Sequence, residues 1–309
     1  MAVYTEVSDE ELAAFISLYD IGGVLSVKGI AEGVENSNFL LRTEGGTFIL
    51  TLYEKRVKAE DLPFFIALME HLAQHGLNCP QPVRNRSGEA LGQLADRAAA
   101  IVTFLEGVGV NRPTVQHCGP VGEVLAQLHL AGADFKGFRA NALSVSGWRP
   151  LFDAAKDRAD TVTPGLRDAT AAALADLEHE WPQGLPSGVI HADLFPDNVF
   201  FLKGELSGLI DFYFACNDFY AYDLAIGLNA WCFEKDGSFN MTKGRAMIAG
   251  YQSLRVLTPA EVAARKKRNG WIALALGGFV VLVFVLTMAK VGGGAGVPEV
   301  YRIPSSSSQ

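Results

Sequence analysis

Residues 189–213 read Val189-Ile-His-Ala-Asp-Leu-Phe-Pro-Asp-Asn-Val-Phe-Phe-Leu-Lys-Gly-Glu-Leu-Ser-Gly-Leu-Ile-Asp-Phe-Tyr213. Two short apolar runs, 199–202 and 206–210, flank Lys203-Gly204-Glu205, the pattern of a β-hairpin closed by a tight glycine turn. Folding that hairpin brings its outer ends together and makes Asn198 and Asp211 cross-strand neighbours. Asp193 stands on the loop leading into the first strand. One carboxamide and two carboxylates therefore converge at the open end of a rigid hairpin. Oxygen ligands of this kind suit Mg²⁺, a hard ion that usually shares its shell with phosphates. A single Asp or Asn beside a turn normally caps backbone groups. Three in order, with a strand between the second and third, point to chemistry instead.

The pattern His-x-Asp-x-x-x-x-Asn followed by a strand-borne Asp-Phe resembles the catalytic loop and metal-binding motif of the protein-kinase-like fold. The resemblance implies that Asp193 accepts the proton of an attacking hydroxyl and that Asn198 and Asp211 hold magnesium on ATP. It also implies that His191 braces the loop by hydrogen bonding rather than acting chemically. Two departures narrow the substrate. Phe195 occupies the place where protein kinases carry a Lys, and no Ala-Pro-Glu follows Asp211. Asp218-Phe-Tyr-Ala-Tyr-Asp223-Leu-Ala comes at once instead, which resembles the aminoglycoside phosphotransferase and choline kinase superfamily. Its members phosphorylate hydroxyls on small molecules, so a protein substrate is not expected.

The chain has 309 residues, 49% of them hydrophobic and 19% charged, enough apolar material for a real core and too little charge for a disordered chain. A net charge of −8 leaves no electrostatic footprint for a nucleic-acid partner. Cys79, Cys118, Cys216 and Cys232 lack Cys-x-x-Cys spacing and read as small core residues of a reducing cytoplasm. The opening Met1-Ala-Val-Tyr-Thr-Glu6 has neither a basic region nor an apolar run, so no secretory leader is expected.

From the start of the chain, Ser8-Asp-Glu-Glu11 is a capping box opening an amphipathic helix. Three β-rich runs follow at 24–28, 38–42 and 47–53, then a helix over 60–75. Strands around 92–94 and 98–104 complete a five-stranded small lobe. The connection Gly29-Ile-Ala-Glu-Gly33 sits where the superfamily places its nucleotide-covering loop, and its amides could reach ATP phosphates. An ordinary hairpin turn fits the same glycines. Kinases of this fold usually carry a Lys on the third strand, and here Thr51 stands in that position. Lys28, Lys55, Arg56 or the loop amides are left to meet the phosphate charge. Ile101-Val102-Thr-Phe104-Leu-Glu-Gly107 resembles the hinge that offers backbone groups to adenine, though an apolar strand ending at Gly107 reads the same way. Beyond it the pattern turns helical, at 114–130 with Pro120 as a kink or the true start, and at 146–159, 168–180, 220–233 and 243–253.

Several stretches resemble the bacterial homoserine kinases of this fold. They are Phe48-Ile-Leu-Thr-Leu-Tyr-Glu-Lys-Arg56, Leu77-Asn-Cys-Pro-Gln-Pro-Val83, Gly122-Glu-Val-Leu-Ala-Gln-Leu-His129 and the run from Ile210 to Phe233. The resemblance covers roughly residues 1–260 and includes Thr51 as a trait of that branch. It implies transfer of a phosphoryl group from ATP to the hydroxyl of L-homoserine, the step committing carbon to threonine. Homoserine needs partners for its ammonium and its carboxylate. Asp218 and Asp223 are candidates for the ammonium, with helix capping the competing role for Asp223. Arg139 and Arg149 are candidates for the carboxylate. A choline-like or aminoglycoside-like kinase, or an inactive membrane-tethered ATP-binding module, are the alternative readings.

The text changes near residue 263. Arg265-Lys-Lys-Arg268 precedes the uncharged apolar run 271–289, long enough to cross a bilayer from a cytoplasmic origin. A buried core helix is the competing reading. The expected architecture is therefore α+β, a protein-kinase-like two-lobe fold with a transmembrane helix appended. Its parts are a small antiparallel-sheet lobe at 1–106, a mainly helical catalytic lobe at 107–262 and an atypical tail at 263–309. The catalytic lobes are expected in the cytoplasm, tethered to the inner face of the plasma membrane if the span inserts.

Overall fold

The structure, a computed structural model, describes residues 5–30, 36–54 and 57–268. The expected span 271–289 lies outside them. In chain order the first elements are α1 (Asp9–Ile16), β1 (Val24–Gly29), β2 (Ser37–Thr43), β3 (Gly46–Leu52), α2 (Leu62–Gln74), β4 (Gly92–Leu94) and β5 (Arg97–Thr103). Then come α3 (Val115–Ala131), α4 (Val145–Ala159), α5 (Leu166–Glu180), β6 (Ser187–Ile190), β7 (Val199–Leu202) and β8 (Glu205–Leu209). The last are β9 (Cys216–Phe219), α6 (Tyr220–Cys232), α7 (Met241–Leu254) and α8 (Pro259–Arg268). The chain divides into two compact units, Met1–Ala140 with Leu185–Thr258, and Asn141–Gly184 with Pro259–Gln309.

In the first unit β1 to β5 form one antiparallel sheet in the order β1-β2-β3-β5-β4. Leu41, Leu50, Leu52, Leu94 and Ile101 point from it onto Leu12, Phe15 and Ile16 of α1, forming one continuous core. The start of α1 is fixed by the capping box: the Glu11 N–H donates to Ser8 Oγ, and the Ser8 N–H donates to the Glu11 carboxylate, both at 3.2 Å. β1 is exposed along its whole length, as an edge strand. α2 buries Leu62, Phe65, Ile66, Leu68, Met69 and Leu72 on one stripe.

α3, α6 and α7 are the helices of the same unit that follow the sheet. Pro120 lies inside α3 and does not begin it: the helix starts at Val115, with Thr114 as N-cap. The missing N–H falls in the second turn, where it deprives the Gln116 carbonyl of its i→i−4 hydrogen bond. Gly122 marks the contact between α3 and α7, because a Cβ there would come within 2.0 Å of the Met247 carbonyl oxygen. β6 and β9, which alternation did not reveal, pair antiparallel with Val189 opposite Asn217. In the second unit α4 carries Trp148, whose ring meets that of Trp181 edge-on with centroids 5.1 Å apart. Arg149 pairs there with Glu178 at 2.6 Å.

Candidate active site

β7 and β8 form the expected hairpin, with Leu202 opposite Glu205. The turn therefore has two central residues, Lys203 and Gly204, both at positive φ (53° and 89°). That is the primed turn whose twist matches the strands. A bulge between Phe200 and Phe201 shifts the register to Val199 opposite Leu209. The next residue pair is joined by the Ile210 N–H donating to the Asn198 carbonyl at 3.0 Å. Asn198 thus faces Ile210, and Asp211 stands one residue beyond the ladder at φ 62°. The shorter turn and the bulge shift the register by one residue each in opposite senses, so Asn198 and Asp211 remain neighbours across the hairpin, set diagonally rather than directly opposite. Neither the turn nor the bulge left a hydropathy signal.

Asn198 Nδ2 donates to the Asp193 carbonyl at 2.8 Å and to its carboxylate at 2.9 Å. With the amine end committed, the carboxamide oxygen carries no hydrogen bond among the described residues and stays available as a ligand. Asp193 is half-buried and Asp211 exposed. Asn198, Asp193 and Asp211 supply only oxygen to a cation, which fits a hard divalent ion.

His191 is fully buried behind the loop. Its Nε2–H donates to the Ile210 carbonyl at 3.0 Å, tying the loop to the end of the hairpin. Nδ1 has no partner among the described residues. Burial holds the imidazole below its ordinary pKa, against the opposing pull of the Asp223 carboxylate. The His191 and Ala192 main-chain N–H groups donate to that carboxylate at 2.8 and 2.9 Å. Ala192 is left-handed at φ 62°, a conformation costing roughly 1–2 kcal/mol without such restraint.

Asp223 is therefore no helix cap: α6 begins after Phe219, and Asp223 sits in its first turn with none of its surface exposed. His129 Nε2 meets its Oδ2 at 3.0 Å. Burial alone would raise its pKa, but the His129 hydrogen bond, the charge of both histidines and the His191 N–H hold it below the usual carboxylate range. Its oxygens are taken up by the loop and by His129, which corrects its reading as an ammonium partner. Asp218 lies on β9 opposite Gly188, and its carboxylate accepts the Phe219 N–H at 2.7 Å. Trp231 is core, donating from Nε1 to the Leu194 carbonyl at 2.8 Å and fixing the loop from below. Arg139 is spent on structure: it pairs with Asp61 at 2.8 Å and donates to the Ala215 carbonyl at 3.1 Å.

Beside Asp211 lies a group of neutral hydroxyls that sequence reading missed. Thr51 Oγ1 donates to Asn38 Oδ1 at 2.8 Å, and its hydroxyl partly offsets the rise of the Tyr213 phenol pKa. Tyr213 and Tyr53 exchange a hydrogen bond at 3.1 Å. Burial and the nearby Asp211 charge push the Tyr213 phenol up to about 12, and burial raises Tyr53 as well. The position of the expected Lys thus presents hydroxyls that stay protonated and carry no charge.

An open cleft of about 400 Å³ is lined by Leu40, Arg42, Thr47, Phe104 and Glu106. Phe104 is exposed there, whereas Val102 is buried inside β5 opposite Ile49 and does not line the cleft. The segment after β5 docks on the hairpin: Val108 and Phe201 exchange main-chain hydrogen bonds of 3.1 and 3.0 Å. Gly107, at φ 141°, allows this approach, since a Cβ would stand 2.5 Å from Ser207 Oγ. Gly29 ends the exposed strand β1, opposite Phe39. Gly33, Lys55 and Arg56 lie outside the described residues. Arg42, a cation in the cleft, was not singled out because it reads as an outward residue of an alternating strand.

The profile of the phosphotransferase enzyme family matches residues 26–257, three quarters of the chain. A second profile, uncharacterized protein 2 in cox locus, matches residues 261–295. The chain is 67% identical over 264 residues to the homoserine kinase of Xanthobacter autotrophicus, covering 85% of this chain and 82% of the relative. Against the homoserine kinase of Parvibaculum lavamentivorans it is 64% identical with the same coverage. Among solved structures, an amicoumacin kinase in complex with AMP-PNP and Ca²⁺ aligns with a TM-score of 0.67 at 15% identity, covering 93% of this chain and 94% of that one. A microcompartment-associated aminopropanol kinase aligns at 0.66 with 18% identity, covering 91% and 98%. These two likenesses speak for the fold alone.

Proposed function

This chain belongs to the phosphotransferase enzyme family, within its homoserine kinases, and from that premise we propose that it transfers the γ-phosphoryl group of ATP to the side-chain hydroxyl of L-homoserine. The observation that carries the reading is the loop from His191 to Asn198, held ahead of Asp211, in a chain 67% identical to a homoserine kinase over most of both lengths. ATP and a divalent metal go with the family, and Mg²⁺ is the ion we assign. Asn198 and Asp211 are the residues to hold it, and when bound it neutralises charge on the phosphates.

The remaining work falls to the chain's own residues. Asp193, oriented by the Asn198 amide, accepts the proton of the substrate hydroxyl at its carboxylate. His191 keeps that carboxylate in place by tethering the loop to the Ile210 carbonyl. Positioning supplies most of phosphoryl-transfer catalysis, so a loop restrained at both ends suits the task. Phe104 and Glu106 border the cleft assigned to adenine, with Val102 acting only through the strand, and Gly29 ends the strand that leads into the stretch assigned to the phosphates. Asp218 is the remaining acidic candidate near the substrate ammonium. In this reading 1–106 is the nucleotide lobe, 107–262 the catalytic lobe, and 263–309 an appended tail whose apolar run 271–289 anchors the enzyme to a membrane from the cytoplasmic side.

A panel of L-homoserine, choline and kanamycin, each with ATP and Mg²⁺ and read by ADP release, tests the reading. L-homoserine should give the largest kcat/KM. A larger value for choline or kanamycin would assign the site to another hydroxyl, and no turnover with any of them would mean an inactive ATP-binding module.

A further inference from the structure

His71 in the last turn of α2 and His75 at its C-cap are four residues apart, the i,i+4 spacing that sets two imidazoles on one side of a helix end for a shared metal ion. Both face Asp134, in the segment that follows α3. His71 Nε2 lies 3.1 Å from Asp134 Oδ1, and His75 Nε2 lies 3.7 Å from the same oxygen. The three ligand atoms fall within 4.8 Å of one another. Donors on a tetrahedral Zn²⁺ with bonds of about 2.0–2.1 Å stand roughly 3.3 Å apart, so small side-chain movements close the set.

Hydrogen bonds hold both rings from the main chain. His75 Nδ1–H donates to the His71 carbonyl at 2.8 Å, which leaves its Nε2 lone pair aimed at a carboxylate oxygen. A backbone carbonyl behind the distal nitrogen is also the support that metal-bound histidines normally have. The rings lie 4.2 Å apart, tilted by 31°. His71 Nε2 now meets the Ala131 carbonyl at 2.9 Å. For metal binding that ring takes its other tautomer, its proton exchanging through water to Nδ1.

We propose that His71, His75 and Asp134 form a binding site for a first-row divalent cation of the zinc type, which clasps α2 to the segment following α3. Imidazole nitrogens favour Zn²⁺ over the Mg²⁺ that accompanies ATP, so the two ions sort between this site and the Asn198–Asp211 pair. His75 is half-exposed and the Asp134 side chain two-thirds exposed, so water can complete the coordination and either side chain can be changed without opening the core. The site stands independently of the proposed phosphoryl transfer.

The test is Zn²⁺ titration of the purified full chain by calorimetry without ATP, together with Co²⁺ absorption spectra. One equivalent of Zn²⁺ should bind, with a tetrahedral visible Co²⁺ band and a raised melting temperature. His75→Ala and Asp134→Asn should each weaken binding by at least about tenfold, since even outer-shell changes at metal sites cost 10–100-fold. Asp211→Ala should retain it, which separates this site from the nucleotide metal. Zn²⁺ binding that is absent in the parent chain, unchanged in both variants, or lost with Asp211→Ala would overturn the proposal.

Discussion

At the scale of single residues, the proposed chemistry rests on one carboxylate, Asp193, for proton transfer and on a separate pair of oxygen ligands, Asn198 and Asp211, for the metal. Asp193→Asn keeps the shape, and its new amide still meets Asn198, but it cannot take a proton. Turnover should fall by about 10²–10⁴-fold with ATP affinity nearly unchanged, measured by steady-state kinetics and nucleotide titration. Near-normal turnover would remove Asp193 from that role. Asp211→Ala should raise the Mg²⁺ concentration for half-maximal rate more than Asn198→Ala does, because an ionised carboxylate binds a hard dication better than an amide. Equal, unshifted magnesium curves for both would put the metal elsewhere. The motif was legible in sequence because it depends on residue type and order. Asp223 was not: its burial under the loop, against His129, depends on a helix packing ninety residues away in the chain.

At the scale of elements, the joint between the loop and α6 makes stability depend on pH. His191 has a folded pKa below its ordinary 6.5, so the unfolded chain binds more protons than the folded one just below that value. Its contribution is present above about pH 6.5 and is lost as pH falls toward the folded pKa. Asp223, also lowered, contributes above its ordinary 3.8 and loses that contribution further into acid. Urea midpoints should therefore fall from pH 7.5 to pH 5, and His191→Asn should flatten that slope. A slope of opposite sign, or one unchanged in the variant, would show that the joint does not couple to protons. Periodicity revealed the α2 stripe and the capping box because each is a local pattern. β6 and β9 stayed hidden: each is four residues long, and their pairing joins distant segments. The Gly122 contact with α7 was hidden for the same reason, since a helical glycine carries no periodic signal.

At the scale of the whole molecule, two family profiles match successive parts of the chain, the phosphotransferase match ending at residue 257 and the second beginning at residue 261. The change of text near residue 263 marked that boundary in sequence. None of the described helices is long and apolar enough to cross a membrane, and the run 271–289 lies outside the described residues. Its Leu, Ile, Val and Phe residues each favour insertion by about 0.3–0.6 kcal/mol at a helix centre. Full-length protein should therefore stay in the membrane pellet after carbonate extraction, while a chain ending at residue 261 should not. Release of both would reject the anchor. Substrate identity is the claim on which the rest depends, and ³¹P NMR of the full chain with ATP, Mg²⁺ and L-homoserine tests it directly. A phosphomonoester signal split into a triplet by the adjacent methylene, growing in step with ADP, is the predicted result. Inorganic phosphate as the sole product, or no consumption of ATP, would contradict it.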